Sequence, residues 1–353
     1  MKDKTKLQYK ALVAAMAMTY GVDSTSEEMF NVSEPLETTL NQKIQESIEF
    51  LSMINVLPHS DLKGQALELG IDGLLARRTN VDNDDRTGTE LGAPNGSTWE
   101  MSEMEYDVFI KYKTMDTWAS LGNLRQLYMN TVYRGIGLDR MTIGWHGISA
   151  AAESDPVANP LGQDLNKGWP QILRDQAPDQ VMAEGNHTGS GKIFVGPNEN
   201  NLDYQNLDAF VADLYDQIPV EQRTGNEVVI VGSALVAADR NKVLNAHAQT
   251  PSEKSVGITT LEKSYGGLTA IQVPRFPATG VFVGDLKHLH IYFQEGTVRR
   301  QTEDVARRKR VVDYVSANEC YAIGNMKAVV YVEPDAVVIV DEKTTAGTFP
   351  APV

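Results

Sequence analysis

The chain has 353 residues, of which 42% are hydrophobic and 22% charged, the composition of an ordinary folded protein with a sizeable core. A formal net charge of −15 disfavours gathering phosphate backbones through counterion release, so gripping nucleic acid is not its main task, although enclosing it remains open. Cys320 is the only cysteine, which rules out an intrachain disulfide and a thiolate metal site, and no apolar run approaches the roughly 20 residues of a bilayer span.

In chain order, residues 1–21 place lysines before an apolar run, a pattern shared with secretory signals. Lys10 abuts that run, and Leu7, Leu12 and Met16 fit one stripe of an amphipathic helix, which favours a basic helix docking on a partner. Glu34-Pro35 breaks the chain after the polar patch Asp23 to Glu28. Leu36, Leu40, Ile44, Ile48 and Leu51 then recur at helical spacing until Pro58. The N-terminal region therefore reads as helix, break, helix: an arm with too little around it to make its own core.

From Leu67 to Asp107 the chain turns acidic and rich in turn residues, with no lysine between Lys63 and Lys111. Tyr106, Val108, Ile110 and Tyr112 alternate with Asp107, Phe109 and Lys111 as in a half-buried strand, and Ala66 to Leu75 is its expected partner. The expectation is a long hairpin with an acidic tip. Met115 to Gly137 reads as a long helix carrying Trp118, Leu121, Leu124, Tyr128, Val132 and Ile136 near one side, with bends expected at Gly122, Gly135 and Gly137. Asp155 to Gly168 reads as a boundary.

Beyond it helix and strand alternate. Leu207, Phe210, Val211, Leu214 and Ile218 form a helix stopped by Pro219, Glu227 to Val231 a buried strand, and Ser233 caps the next helix. Strands are expected at Leu268–Val273, Val281–Val283, Leu289–Gln294, Val311–Val315, Ala328–Val332 and Val337–Val340. The tail Ala346–Val353 reads as unstructured, and no internal repeat is visible.

Chemistry is sparse. Gly185 to Lys192 (GNHTGSGK) looks like a phosphate loop, but five residues separate its outer glycines where four are needed, and Ile193 follows the lysine. A flexible glycine-rich loop is the simpler reading. His288 and His290 flank Leu289 on one strand face and lack a third ligand, which favours a polar sheet face over a metal. The sequons at Asn95 and Asn186 carry meaning only after secretion, and no nucleophile elbow occurs. No residue is assigned a catalytic, cofactor or metal role. Arg299, Arg300, Arg307, Arg308, Lys309 and Arg310 stand out in an acidic chain. Either they form a solvated hairpin, or they meet acidic patches such as Asp82, Asp84, Asp85 and Glu90 on neighbouring copies, where complementary charge sets register.

The segments LNQKIQESIEFLSMINVLPHSDLKG, DVFIKYKTMDTWA, NPLGQDLNKGWPQILRDQAP, NLDAFVADLYD, VVIVGSAL, GGLTAIQVPRFP and VRRQTEDVARRKRVVDYVSANECYA resemble, in order and spacing, the major capsid proteins of P2-like tailed phages, which have the α+β HK97-type fold. The resemblance covers most of the chain. It implies a scaffold-linked segment (1–30), an N-arm (31–66), an extended loop (67–107), a peripheral domain with a spine helix (108–160), an axial domain (161–285), peripheral strands and a hairpin (286–321), returning axial strands (322–342) and a flexible tail (343–353). By the match of MFNVSEP to the family's pattern, it implies removal of the first segment by a phage protease near Phe30–Asn31. It further implies pentamers and hexamers of this chain in an icosahedral head around double-stranded DNA, assembled in the bacterial cytoplasm with a scaffolding protein, a prohead protease and a portal, and with no membrane or cofactor. Relatives of this fold that weld subunits place a lysine on the extended loop. The lack of lysine from Gly64 to Ile110 implies a non-covalent shell. The competing readings are an encapsulin-like nanocompartment shell, a nucleotide-binding enzyme using the Gly185 loop, and a soluble binding module.

Overall fold

The computed structural model describes residues 3–20, 22, 29–65, 76, 78, 97–120, 124–187, 189–196, 202–246 and 264–340. Helix α1 (Asp3–Tyr20) and strand β1 (Phe30–Asn31) precede α2 (Glu34–Glu46), α3 (Glu49–Met53), β2 (Asn55–His59) and β3 (Lys63–Gln65). Then come β4 (Thr98–Glu100), β5 (Ser102–Glu105), β6 (Val108–Lys111), α4 (Tyr112–Ser120), α5 (Leu124–His146) and α6 (Trp169–Gln176). The central part holds β7 (Val181–Met182), β8 (Ile193–Val195), α7 (Leu207–Asp216), β9 (Val228–Val231), α8 (Ser233–Ala246), β10 (Ser264–Tyr265) and β11 (Leu268–Ile271). Strands β12 (Val281–Gly284), β13 (Leu289–Gln294), β14 (Arg299–Val305), β15 (Arg310–Ile323), β16 (Val329–Val332) and β17 (Val337–Ile339) follow.

Strand β15 organises the first sheet. β14 and β13 pair along one edge in succession, and β6 and β5 pair along the other. β2 extends the sheet beyond β13 and β1 beyond β14. Period-two alternation turns Val311, Val315, Ala317, Tyr321 and Ile323 onto one face, where α5 and α6 cover them. Cys320 and Ala322 face the other way and meet Trp99, Met101 and Tyr292.

The second sheet runs β10-β11-β9-β12-β16-β7. Its central strands β9, β12 and β16 are apolar because both of their faces are covered. Val229, Val231, Val281, Val283, Val330 and Val332 pack with Leu207, Phe210, Val211 and Leu214 of α7. Ile230, Phe282, Val329 and Tyr331 join the first core. Asn206 caps α7 by accepting from the Ala209 amide at 2.8 Å.

Three expectations change. Leu7 is exposed, because the stripe that α1 buries on the chain's own body is Leu12, Met16 and Ala17. Residues 106–111 pair with β15, which gives Tyr106 and Ile110 a core-facing side, and their expected partner, Ala66 to Leu75, lies outside the described residues. The stem of the long hairpin is instead β3 against β4, and its tip, with Asp82, Asp84, Asp85 and Glu90, lies outside the described residues. The long helix passes through Gly135 and Gly137 and ends at His146, because Ile136, Met141, Ile143 and Trp145 continue its buried face. The tail from Ala346 also lies outside the described residues.

At the junction of the two sheets, Trp145 stacks edge-on with Trp169, Phe276 and Phe282. Helix α5 approaches this point through glycine. A Cβ at Gly144 would lie 2.5 Å from the Trp169 ring, whereas a Cβ at Gly135 would meet nothing within 4 Å. In a helix interior, Gly→Ala gains up to about 1 kcal/mol, and overpacking a filled core costs about 1–3 kcal/mol. Gly135→Ala is therefore expected to raise the midpoint of denaturant unfolding and Gly144→Ala to lower it. Equal shifts at the two positions would show that the junction is looser than described.

Candidate assembly surface

The hairpin β14–β15 turns through a 3-10 segment, Ala306–Arg308, and Lys309 closes it in the left-handed region at φ 52°. At this tip Arg307, Arg308 and Lys309 are exposed and form no ion pair among the described residues. Arg310 lies over the Phe109 ring, 4.6 Å from its centroid. Arg299 reaches Glu103 at 3.5 Å with both side chains half-exposed, a pair of at most about 1 kcal/mol. Arg300 does not belong with these contact residues. It is 2% exposed and grips Asp313 through Nε at 3.0 Å and Nη2 at 2.5 Å, because β14 alternation turns it into the core.

Asp313 also accepts the Tyr128 hydroxyl at 2.9 Å. Six residues along the same face of β15, Glu319 meets Arg140 of α5 through both carboxylate oxygens. Arg140 donates further to Asn41 of α2 at 2.7 Å, and Tyr106 donates to Glu319 at 3.0 Å. Burial pulls the Arg140 guanidinium towards neutrality, but Glu319 outweighs it and drives the pKa above the ordinary arginine value. These residues escaped the sequence reading, yet a signal was present: Asp313 and Glu319 occupy inward positions of an apolar strand and require cations.

The arm is part of the body rather than a detached strap. Ile44 and Ile48 enter the main core, and the buried Glu37 carboxylate accepts the Gly296 and Val298 amides, each at 2.9 Å. Burial raises the Glu37 pKa in spite of those two bonds. Helix α1 lies on Ile110, Met115, Tyr128 and Val311, and Thr5 donates to Asp116 at 2.6 Å. Burial, followed by Asp304, pushes the Tyr9 phenol up to about 12. Phe30 and Asn31 form the edge strand β1, in register with Arg300 and Arg299.

At the stem of the long hairpin the Trp99 ring covers Gly64, where a Cβ would lie 2.4 Å away. Trp99 packs on His59 and Tyr292, with centroids 4.9 and 5.4 Å apart. His290 contacts the Tyr292 hydroxyl through Nδ1 at 2.8 Å and the Lys287 carbonyl through Nε2 at 3.0 Å. Both its ring nitrogens are thus engaged within the protein. Among the described residues no three His, Cys, Asp or Glu side chains gather as a metal site, and no helix is long and apolar enough to cross a membrane.

The Gly185 loop answers its own amides. Glu184 accepts from Gly189 at 2.9 Å and Gly191 at 3.4 Å, and Asp203 accepts from Asn186 and Phe194, both at 2.7 Å. Lys192 donates to the Asp335 carbonyl at 2.8 Å. Carboxylates sit where a phosphate would be cradled.

A two-sheet body, a long spine-like helix and a charged hairpin held by buried ion pairs define an HK97-type major capsid protein. Residues 8–334 match the family model described as phage major capsid protein, P2 family. The chain belongs to that family. It is 30% identical over 341 residues to the capsid proteins of Escherichia phage P2, covering 94% of this chain and 95% of that one. It is 29% identical over 325 residues to the major capsid protein of Serratia phage KSP20, covering 91% and 90%. The fold matches a chain of the satellite phage P4 procapsid, a structure that includes size determination (Sid) protein, with a TM-score of 0.75 at 28% identity, over 97% of this chain and 99% of that one.

Two outcomes follow from the buried polar groups. Arg140→Met strands the Glu319 carboxylate and is expected to cost about 3–5 kcal/mol, while Arg140→Met with Glu319→Met costs less than the single change; denaturant midpoints read both, and additive losses would refute the coupling. Burial, the leading cause, lowers the pKa of His288 and His290. A depressed folded value means their contribution is complete above the ordinary imidazole pKa of about 6.5 and is lost as pH falls below it. His290→Gln should flatten that acid limb of the stability curve, and an unchanged slope would exclude His290 as a contributor.

Proposed function

We propose that copies of this chain assemble as pentamers and hexamers into an icosahedral head that encloses double-stranded DNA and performs no reaction itself. The observation that carries this reading is the hairpin: its root is fixed by two buried ion pairs, and its tip presents three exposed cations that form no ion pair among the described residues. The first sheet with α4 and α5 is the peripheral domain. The second sheet is the axial domain (161–285), to which 322–342 returns as β16 between β12 and β7. Identical chains joined by unlike surfaces close into rings and shells. Each contact adds to others already made, so weak contacts sum to a stable wall. Arg299, Arg307, Arg308 and Arg310 remain the proposed contact residues. The acidic surface suits packed DNA that must slide rather than stick.

Within this reading, assembly takes place in the bacterial cytoplasm with a scaffolding protein, a prohead protease and a portal, and residues 1–30 are removed by a cut near Phe30–Asn31. The edge position of β1 supports that site, since only one side of this extended segment is paired. Expression of the chain with its scaffold should give closed particles under negative stain. A monomeric sedimentation profile under all conditions would overturn the proposal, and particles filled with enzyme rather than DNA would favour the nanocompartment reading. Intact mass and denaturing gels of DNA-filled heads should show single chains lacking residues 1–30. Retained Met1 would reject the cut, and a covalent ladder would reject a non-covalent wall.

A further inference from the structure

A cleft of about 250 Å³ opens beside α5, between β5 and residues 154–165. Met104, Ile143 and Leu165 give it apolar walls, while Glu105, Asp139 and Asp164 line it with carboxylates and no lysine or arginine does. Asp164 is committed to its own chain, accepting the Asp155 amide at 2.6 Å. Glu105 and Asp139 are exposed and form no ion pair among the described residues; burial, the larger influence, raises the Asp139 pKa, and nearby Arg275 opposes that rise. Carboxylates above apolar walls suit a cation carried on an aliphatic stem, the form of an arginine or lysine side chain.

The chain holds such cations at its hairpin tip, where Arg307, Arg308 and Lys309 stand exposed, with no ion pair among the described residues. They cannot reach their own cleft. Met104 pairs with Ala317, and the strand from Lys309 to Ala317, at about 3.3 Å per residue, holds tip and cleft roughly 26 Å apart. Two complementary patches at separate points of a rigid sheet make a contact between unlike surfaces, the kind that propagates from copy to copy until it closes.

We propose that the Glu105–Asp139 cleft is the receptor for the hairpin tip of a second copy, with Arg307 or Arg308 lying along the apolar wall and its guanidinium at Asp139. This rests on the shell-forming function proposed above. It replaces the acidic tip around Asp82 to Glu90 as the hairpin's counterpart with a preformed cleft.

Charge reversal tests it on the full chain expressed with its scaffold. Arg308→Glu and Asp139→Arg should each lower the yield of closed particles about tenfold, and the two together should restore it. Circular dichroism would confirm that each variant is folded. Unaffected single variants, or a folded double variant no better than the singles, would overturn the proposal. A second measurement does not depend on yield: Arg308→Cys with Ser154→Cys, a residue exposed at the cleft, should give intermolecular disulfides in oxidised particles, with the buried Cys320 a bystander. Particles that form without this cross-link would overturn the contact alone. Failure of the unsubstituted chain to form particles would overturn the shell-forming function and the contact with it.

Discussion

The structure depends on two carboxylates that β15 carries into an apolar interior. Asp313 and Glu319 are each 1% exposed, and an unpaired charge in such a place is too costly to bury. Each is met by one guanidinium, Arg300 from the neighbouring strand and Arg140 from α5. The second pair also recruits Asn41 and Tyr106, so α2, α5, β15 and the segment between β5 and β6 share one hydrogen-bonded centre. A shift of β14, α5 or β15 by one residue would leave a charge stranded. Ion pairs so deep add little net stability, but they penalise every alternative register.

That constraint separates the basic residues of the hairpin into two kinds. Alternation along β14 sends Arg300 inward to hold the strands together, while the turn leaves Arg307, Arg308 and Lys309 facing solvent. A stretch that reads in sequence as one basic cluster is therefore a root and a tip with different work. The root keeps the tip in a fixed direction, and contacts between copies require that.

Much of the fold was legible because strong periodicity survives tertiary context. Leu207 to Ile218, Val281–Val283 and Leu289–Gln294 lie where their patterns put them, and the resemblance carried the overall plan. Three kinds of information were not legible. Pairing partners depend on which edge is free, so the pairing of Tyr106 and Ile110 with β15, about 200 residues on, has no signal in local spacing. The inward face of α1 was misjudged at Leu7 because alanines and methionines offer several stripes of similar hydrophobicity. The Arg300–Asp313 and Arg140–Glu319 pairs depend on contacts across the fold, which spacing along the chain does not encode.

The joint between the two sheets has a bearing on curvature. Gly147 and Gly168 bring backbones so close that an added Cβ would lie 2.1 Å and 2.4 Å from a carbonyl oxygen, and interlocked tryptophans fill the remaining space. A joint without slack has no room to crease. A wall built from such bodies must take up its differing angles at the rims of each one, so fivefold and sixfold positions would differ in their outlying segments while the central slab stays the same.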